Sequence, residues 1–458
     1  MIAAAGKVGC DENKVLPEDP NEQIALAMEN LGRALEAAGV TVHDVYKLGH
    51  QPAMTLVTVP PLASPQIKFE IEVYAAAAWE VQKAGFSCVV VEARDRVGGK
   101  TYSVDPLGDG GKLTWEKRGL MIQTRNFAEP NAAEAIRLST REIEHSCHKL
   151  DIRDPIGTGE GLDKLTLLEW AKTKTSSKTA LAVVKMWMRA MWRRAILHAV
   201  RRQAWSPISP LPCRLPVYLG LVNLLQPNSV VLNSPVFRIS QFPWGVLVSS
   251  ARGDFSCKRV IFSVQTIFYK SITFDPPLPS SKLKLAEHGV QSFSFKNIVF
   301  YSQPWWRKAG LSGALMSFKG PLFTSRDTSN DGKGHYSPTC FANGEFGRQL
   351  CKYPRAERTK AILTDIKRVF GPYTNVPDPI GVVQRTWNKD LCSRVCTVPV
   401  SPPGITTLHE HALRATHGKV HFVGTETAYE WKGYMYGAVI SGERGAKEVI
   451  QALSEAKL

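Results

Sequence analysis

Gly418-Lys-Val-His-Phe-Val-Gly-Thr-Glu-Thr-Ala-Tyr-Glu-Trp-Lys-Gly-Tyr-Met-Tyr-Gly-Ala-Val-Ile-Ser-Gly-Glu-Arg444 passes from a short apolar strand (Val420, Phe422, Val423) through a Gly-Thr-Glu-Thr turn and an aromatic loop into a helix. The first turn of that helix holds Tyr434 to Ala438. Small residues there, Gly433, Gly437 and Ala438, let a flat ligand reach the unpaired N–H groups at the helix start, where the macrodipole favours negative charge. The pattern predicts a docking place for an electron-rich ring.

Outward from this stretch, composition bounds the rest. At 458 residues the chain is long enough for two or three domains, and 44% hydrophobic with 21% charged residues is ordinary for a soluble globular protein. No apolar run reaches the roughly 18 to 20 residues that cross a bilayer, and no signal-peptide pattern opens the sequence, so an intracellular protein is expected. The nine cysteines are scattered and form neither a disulfide framework nor a zinc spacing. His145-Ser-Cys147-His148 comes nearest to a metal cluster, but nothing completes four ligands, and no metal is expected. The formal net charge of +16 is concentrated visibly in Arg189 to Arg202, interleaved with Trp187, Trp192 and nearby Trp205. Without a nucleic-acid fold motif beside it, this stretch reads as a solvated helix face, and no nucleic-acid partner is expected.

Several segments carry clear strand or helix signals. Cys88-Val-Val-Val-Glu92 is a buried strand ending in a carboxylate, preceded by a half-helix, Ala77 to Gly85. Lys258 to Val264 and the alternating Ser294-Phe-Lys-Asn-Ile-Val-Phe-Tyr301 read as further strands, with a proline-bounded crossover at Ile272 to Pro279. Nearer the N-terminus, Asn21 to Gly39 is an amphipathic helix, and Gln51 to Val59 and Ile67 to Val73 are alternating strand patterns.

The closing stretch, together with Glu92-Ala-Arg-Asp-Arg-Val-Gly-Gly-Lys-Thr-Tyr-Ser103, resembles the FAD-dependent amine oxidases, the monoamine oxidase family. The resemblance covers most of residues 77 to 458. It implies that Glu92 meets the adenosine ribose and that Arg94, Gly98, Gly99 and Lys100 belong to the pyrophosphate-side motif. Val236 would contact the adenine, and Gly424, Thr425, Glu426 and Met435 would face the ribityl chain and the flavin ring. Lys296 would hold a water beside the flavin, a role strengthened by the following Gln303-Pro-Trp-Trp-Arg307. Trp387 opens a segment beside the ring that runs to Cys396, which in some members bonds the flavin covalently. Tyr434 would form one wall of an aromatic cage around the amine, and Thr397 stands where the second aromatic wall belongs.

Asn21 to Val73 resembles the small imine and enamine deaminases of the RidA (YjgF) family, with a strand and a helix missing between His50 and Gln51. Met54 replaces the arginine with which that family binds a substrate carboxylate, and a thioether cannot pair a carboxylate. The amine-oxidase pattern is also incomplete: Glu72-Val-Tyr-Ala-Ala-Ala-Ala78 passes into the half-helix where the family has a buried strand and a GxGxxG turn. That turn supplies backbone N–H groups to the pyrophosphate.

The fold expected is α/β: a Rossmann-like FAD-binding domain (77–125, 216–290 and 396–458) with an inserted α+β, mixed-sheet substrate domain (126–215 and 291–395). A small N-terminal α+β remnant (1–76) precedes them. The activity implied is oxidation of an amine to an imine with O2 reduced to H2O2. The alternative is a non-catalytic relative whose FAD binding is impaired by the missing turn. The final residues, Ala456-Lys457-Leu458, are a variant of the Ser-Lys-Leu peroxisomal address, which points to the peroxisome or, failing that, the cytoplasm.

Overall fold

The computed structural model describes residues 73–97, 122–123, 225–317, 319–396, 399 and 401–456, and, between 142 and 181, the positions 142, 145–146, 149–151, 153–154, 157–158, 161–178 and 180–181. The chain divides at Ile67/Lys68 into two units, and all of these residues lie in the second. The RidA-like segment up to Glu72, Gly98, Gly99, Lys100, Thr397, the Arg189 to Arg202 stretch and the last two residues lie outside the described residues.

Helix α1 (Val73–Lys83) is built on an alanine run, the strongest helix former. It ends where Gly85, at φ +82, and Phe86 turn their N–H groups back to Gln82 and Val81. Val73, the last residue of the strand expected over Ile67 to Val73, belongs instead to the alanine helix, and the rest of that stretch lies outside the described residues. Ala75, Ala76, Ala77 and Ala78 are buried, and α1 packs along the C-terminal helix α5 (Met435–Glu455), whose Gly437, Gly442, Gly445 and Ala446 are buried as well. Small residues let the helices approach closely. A Cβ on Gly445 would run into the Val423 side chain, so α5 lies directly on the strand before it.

Four short parallel strands form two pairs. In one, β1 (Val90–Val91) pairs with β3 (Val230–Val231); in the other, β7 (Val260–Phe262) pairs with β14 (Val420–Phe422). Among the described residues no strand joins the two pairs. Beside them β6-β5-β4-β8 forms a four-stranded sheet, from β4 (Val236–Phe242), β5 (Gly245–Ser250), β6 (Gly253–Cys257) and β8 (Thr273–Asp275). Its core of Ile239, Val246, Phe262, Tyr269, Phe274 and Phe422 is shared with β7 and β14, and the Phe262 ring meets Phe274 and Phe422 edge-on at 5.5 and 5.6 Å.

The second large sheet is mixed, in the order β13-β9-β12-β11-β10-β2. Its strands are β2 (Ile122–Gln123), β9 (Ser294–Phe300), β10 (Leu315–Met316), β11 (Thr324–Asp327), β12 (Pro338–Asn343) and β13 (Gly381–Thr386). Helix α4 (Arg355–Phe370) buries Ile362, Ile366, Val369 and Phe370 against it at helical spacing. Two shorter helices matter below: α2 (Leu167–Lys174), started by a Thr166/Glu169 capping box, and α3 (Ser280–His288). Trp305 and Trp306 lie in this core, ring to ring at 5.2 Å, and Trp306 Nε1 and Arg307 Nε both donate to Asp327 Oδ2.

Candidate active site

Three clusters converge from different elements. The first is at the end of β1. The Glu92 N–H donates to Val231, and its carbonyl accepts from the Ser234 N–H, so the loop leading to β4 folds over the strand end and brings Val236 to the same edge. The Glu92 side chain is 8% exposed, and its Oε1 accepts from the Arg94 N–H at 2.9 Å, which orients the carboxylate. The Arg94 guanidinium then crosses nearly three hundred residues of sequence to Asp390 Oδ1 at 2.9 Å and Ser393 Oγ at 2.8 Å. Burial lowers the Arg94 pKa, but the Asp390 carboxylate outweighs it and leaves the guanidinium above its ordinary value. Arg94 thus clasps two parts of the site together, a use beyond the pyrophosphate-side role its motif implies.

The second cluster lies where β9 and β13 meet. Lys296 pairs across the sheet with Phe341 and Arg385, and its Nζ sits 5.8 Å from the Phe341 ring centroid. Burial pulls its pKa below the ordinary lysine value, with Cys396 acting in the opposite sense. Cys396 is tied in at its backbone: its carbonyl accepts from Ser292 Oγ at 2.6 Å. Trp387 starts the turn after β13, with the Arg385 guanidinium 4.7 Å over its ring. Lys296 therefore shares one corner with Trp387 and Cys396, about ninety to a hundred residues further along the chain.

The third cluster is the closing stretch. Gly424 has φ +116, and its N–H donates to Ser441 Oγ on α5. The Thr425 hydroxyl accepts from the Gly433 N–H at 2.7 Å and donates to the Tyr434 carbonyl at 2.9 Å, pinning the turn to the helix start. Arg444 donates to the Phe422 carbonyl and to Thr427 Oγ1, and Arg414 to the Thr427 carbonyl. The Glu426 carboxylate, 7% exposed, accepts from Thr266 Oγ1 at 2.6 Å. Tyr434 and Met435 begin α5 at 40% and 50% exposure, and no side chain caps that end. A Cβ on Gly437 would run into the Trp431 carbonyl, so the aromatic loop closes on the helix only because the residue is glycine.

The turn at Thr266–Ser271 bridges the clusters. Thr266 holds Glu426, and the Phe268 ring lies 5.1 Å from the Arg394 guanidinium in the loop that also carries Asp390 and Cys396. Thr266, Ser292, Asp390 and Ser393 escaped the sequence reading. Asp390 and Ser393 lie in a run that was singled out for Trp387 and Cys396, but no local pattern announces a partner as distant as Arg94. Among the described residues no group of three or more metal-ligating side chains occurs, and no helix is long and apolar enough to cross a membrane.

The residues present fit an FAD. The buried Glu92 carboxylate stands at a parallel strand end, and the uncapped start of a 21-residue helix offers N–H groups beside the exposed Tyr434 ring. A glycine keeps that start clear of Cβ atoms. The donors for the pyrophosphate, Gly98, Gly99 and Lys100, lie outside the described residues.

The sequence profile of the family described as flavin containing amine oxidoreductase matches residues 76–142 and 218–450. A Mycobacterium tuberculosis protein named as a flavin-containing monoamine oxidase is 28% identical over 435 residues, 82% of this chain and 94% of its own length. The flavin-containing amine oxidase B of Cavia porcellus is 33% identical over 239 residues, 51% of this chain and 45% of its own. Among solved structures, wild-type putrescine oxidase bound to putrescine superposes with TM-score 0.74 at 21% identity, covering 83% of this chain and 98% of that one. Cyclohexylamine oxidase from Brevibacterium oxydans gives 0.73 at 20% identity, covering 84% and 98%.

Proposed function

Because this chain belongs to the flavin-containing amine oxidoreductases, we propose that it oxidises a primary or secondary amine to an imine and passes the electrons to O2, giving H2O2. The observation that carries this reading is the corner shared by Lys296, Trp387 and Cys396, joined through Arg94 and Asp390 to the strand end at Glu92.

FAD, the cofactor of the family, supplies the two-electron acceptor for the amine C–H bond. Glu92 and Val236 would hold its adenosine end, and Thr425, Glu426 and the start of α5 its other end. Gly98, Gly99 and Lys100 would hold the part between. The chain's own work is orientation and proton control. The Tyr434 ring would offer a face to the amine, and Thr397, which the resemblance sets in place of a second aromatic wall, would suit a bulkier substituent. Lys296, with its pKa lowered by burial, exchanges a proton with a bound water nearer neutral pH than a solvated lysine does. The positive end of α5 favours negative charge beside it.

A peroxide-coupled assay across primary and secondary amines, with FAD added, tests the reading. At least one amine is expected to turn over, and Lys296→Met to cut the rate by about a hundredfold with the melting temperature unchanged. A second reading, a non-catalytic relative, is favoured by one observation: α1 begins at Val73 with no glycine turn before it. Under that reading the purified protein stays colourless after FAD addition and dialysis.

A further inference from the structure

The tip of the β4–β5 hairpin, at the opposite end of β4 from Val236, belongs to none of the three clusters. Phe242 pairs with Gly245, leaving Pro243 and Trp244 as a two-residue tip. The Phe242 and Trp244 rings are stacked, 5.1 Å apart and 6° from parallel, yet 38% and 50% exposed. The pair sets adjoining apolar ring surface toward solvent at the hairpin tip, a feature found at interaction surfaces.

Lysine ammonium groups occupy the backbone of this tip. Lys419 Nζ donates to the carbonyls of Phe242 and Pro243 at 2.6 and 3.3 Å, and Lys258 Nζ donates to the Trp244 carbonyl at 3.1 Å. Three consecutive carbonyls are thus bonded by cations carried on neighbouring segments. The base is braced too, since the Lys419 N–H donates to Gln241 Oε1 at 2.6 Å. The nearest acidic positions of the sheet are set back. Asp275 lies opposite Ser240, two ladder positions short of Phe242, and Asp254 stands at the far end of β6.

We propose that the Phe242-Pro243-Trp244 tip is a docking element for an anionic lipid bilayer surface, the two rings entering the headgroup layer while Lys258 and Lys419 meet the lipid phosphates. Aromatic rings favour that depth, and basic residues beside them add attraction to anionic headgroups. The two ammonium groups keep donors on the three tip carbonyls, which lowers the cost of carrying them out of bulk water. The net charge of +16 acts in the same direction. A nucleic-acid strand would require a groove to track its backbone, whereas this element is a stacked pair of rings at a hairpin turn.

The test is sedimentation of the full-length protein with vesicles. Binding is expected to phosphatidylcholine vesicles containing phosphatidylserine, at least about tenfold stronger than to phosphatidylcholine alone, and to weaken with salt. Phe242→Ser with Trp244→Ser should lower the bound fraction to anionic vesicles about tenfold. Lys258→Glu with Lys419→Glu should abolish the preference for anionic lipid, and Lys360→Glu on α4 should change neither. Unchanged melting temperatures check that the variants fold. No vesicle binding, or equal binding by wild type and hairpin variants, overturns the proposal. So does retention on single-stranded DNA, or a dimer that dissociates on Trp244→Ser, without vesicle binding.

Discussion

Gly437 and Arg94 do opposite kinds of work at the scale of single residues. Gly437 keeps space empty, so Gly437→Ala drives a methyl group into the Trp431 carbonyl and should displace the aromatic loop from the start of α5. A stability loss of about 1–3 kcal/mol is expected, read as a lowered thermal midpoint. Arg94 joins β1 to the Asp390 loop through a part-buried pair, and removing one partner takes the principal counter-charge from the other. Asp390 responds to pH in a defined direction. Burial raises its pKa, but Arg94 and the hydrogen bonds from Ser393 and the Cys392 N–H leave it below the ordinary aspartate value of 3.8. A depressed carboxylate stabilises the fold above that ordinary value and loses the contribution as pH falls through its folded value. Asp390→Asn should therefore weaken the fold at neutral pH and flatten its stability profile below about pH 4. Urea unfolding at pH 7 and pH 3 checks both.

Between elements, Lys282 on α3 is the clearest feature. It is 1% exposed, its Nζ donates to the Ala412 carbonyl, and the ammonium lies 3.5 Å from the Phe422 ring centroid on β14. Burial, with Arg444 adding like-charge repulsion, pushes its pKa from 10.5 down to about 7. Between those values the unfolded chain holds the proton and the folded chain does not, so stability rises with pH across the window and levels off on either side. Lys282→Met should remove that rise. Thermal unfolding at pH 6.5 and pH 9 is expected to give a marked difference for wild type and little for the variant. Since Phe422 leads directly into the Gly424 to Thr427 turn, this joint of α3, β14 and α5 sits next to the candidate site.

For the whole molecule, FAD binding is the measurable consequence. If the three clusters hold FAD, a hundredfold excess over its Kd should stabilise the folded state by about 2.7 kcal/mol, seen as a rise in melting temperature and retained yellow colour. How much of this was legible in advance depended on the range over which each interaction acts. Alternating and 3.6-residue periodicity are local, so the helix beginning at Met435 and the strand Ser294–Phe300 could be read from neighbours along the chain. The contiguous runs at Glu92 and Gly424 carried the family resemblance for the same reason. Local reading failed at Val73, where an alanine run pulled a presumed strand residue into α1. It could not reach the Arg94–Asp390 clasp, the Glu426–Thr266 bond or the Lys282–Phe422 contact, each joining residues more than a hundred positions apart. Periodicity records which face a residue turns inward. Which distant side chain it meets there is settled when the sheets and helices pack, because hydrogen bonds and ion pairs form over a few ångströms of space, however much chain lies between the partners.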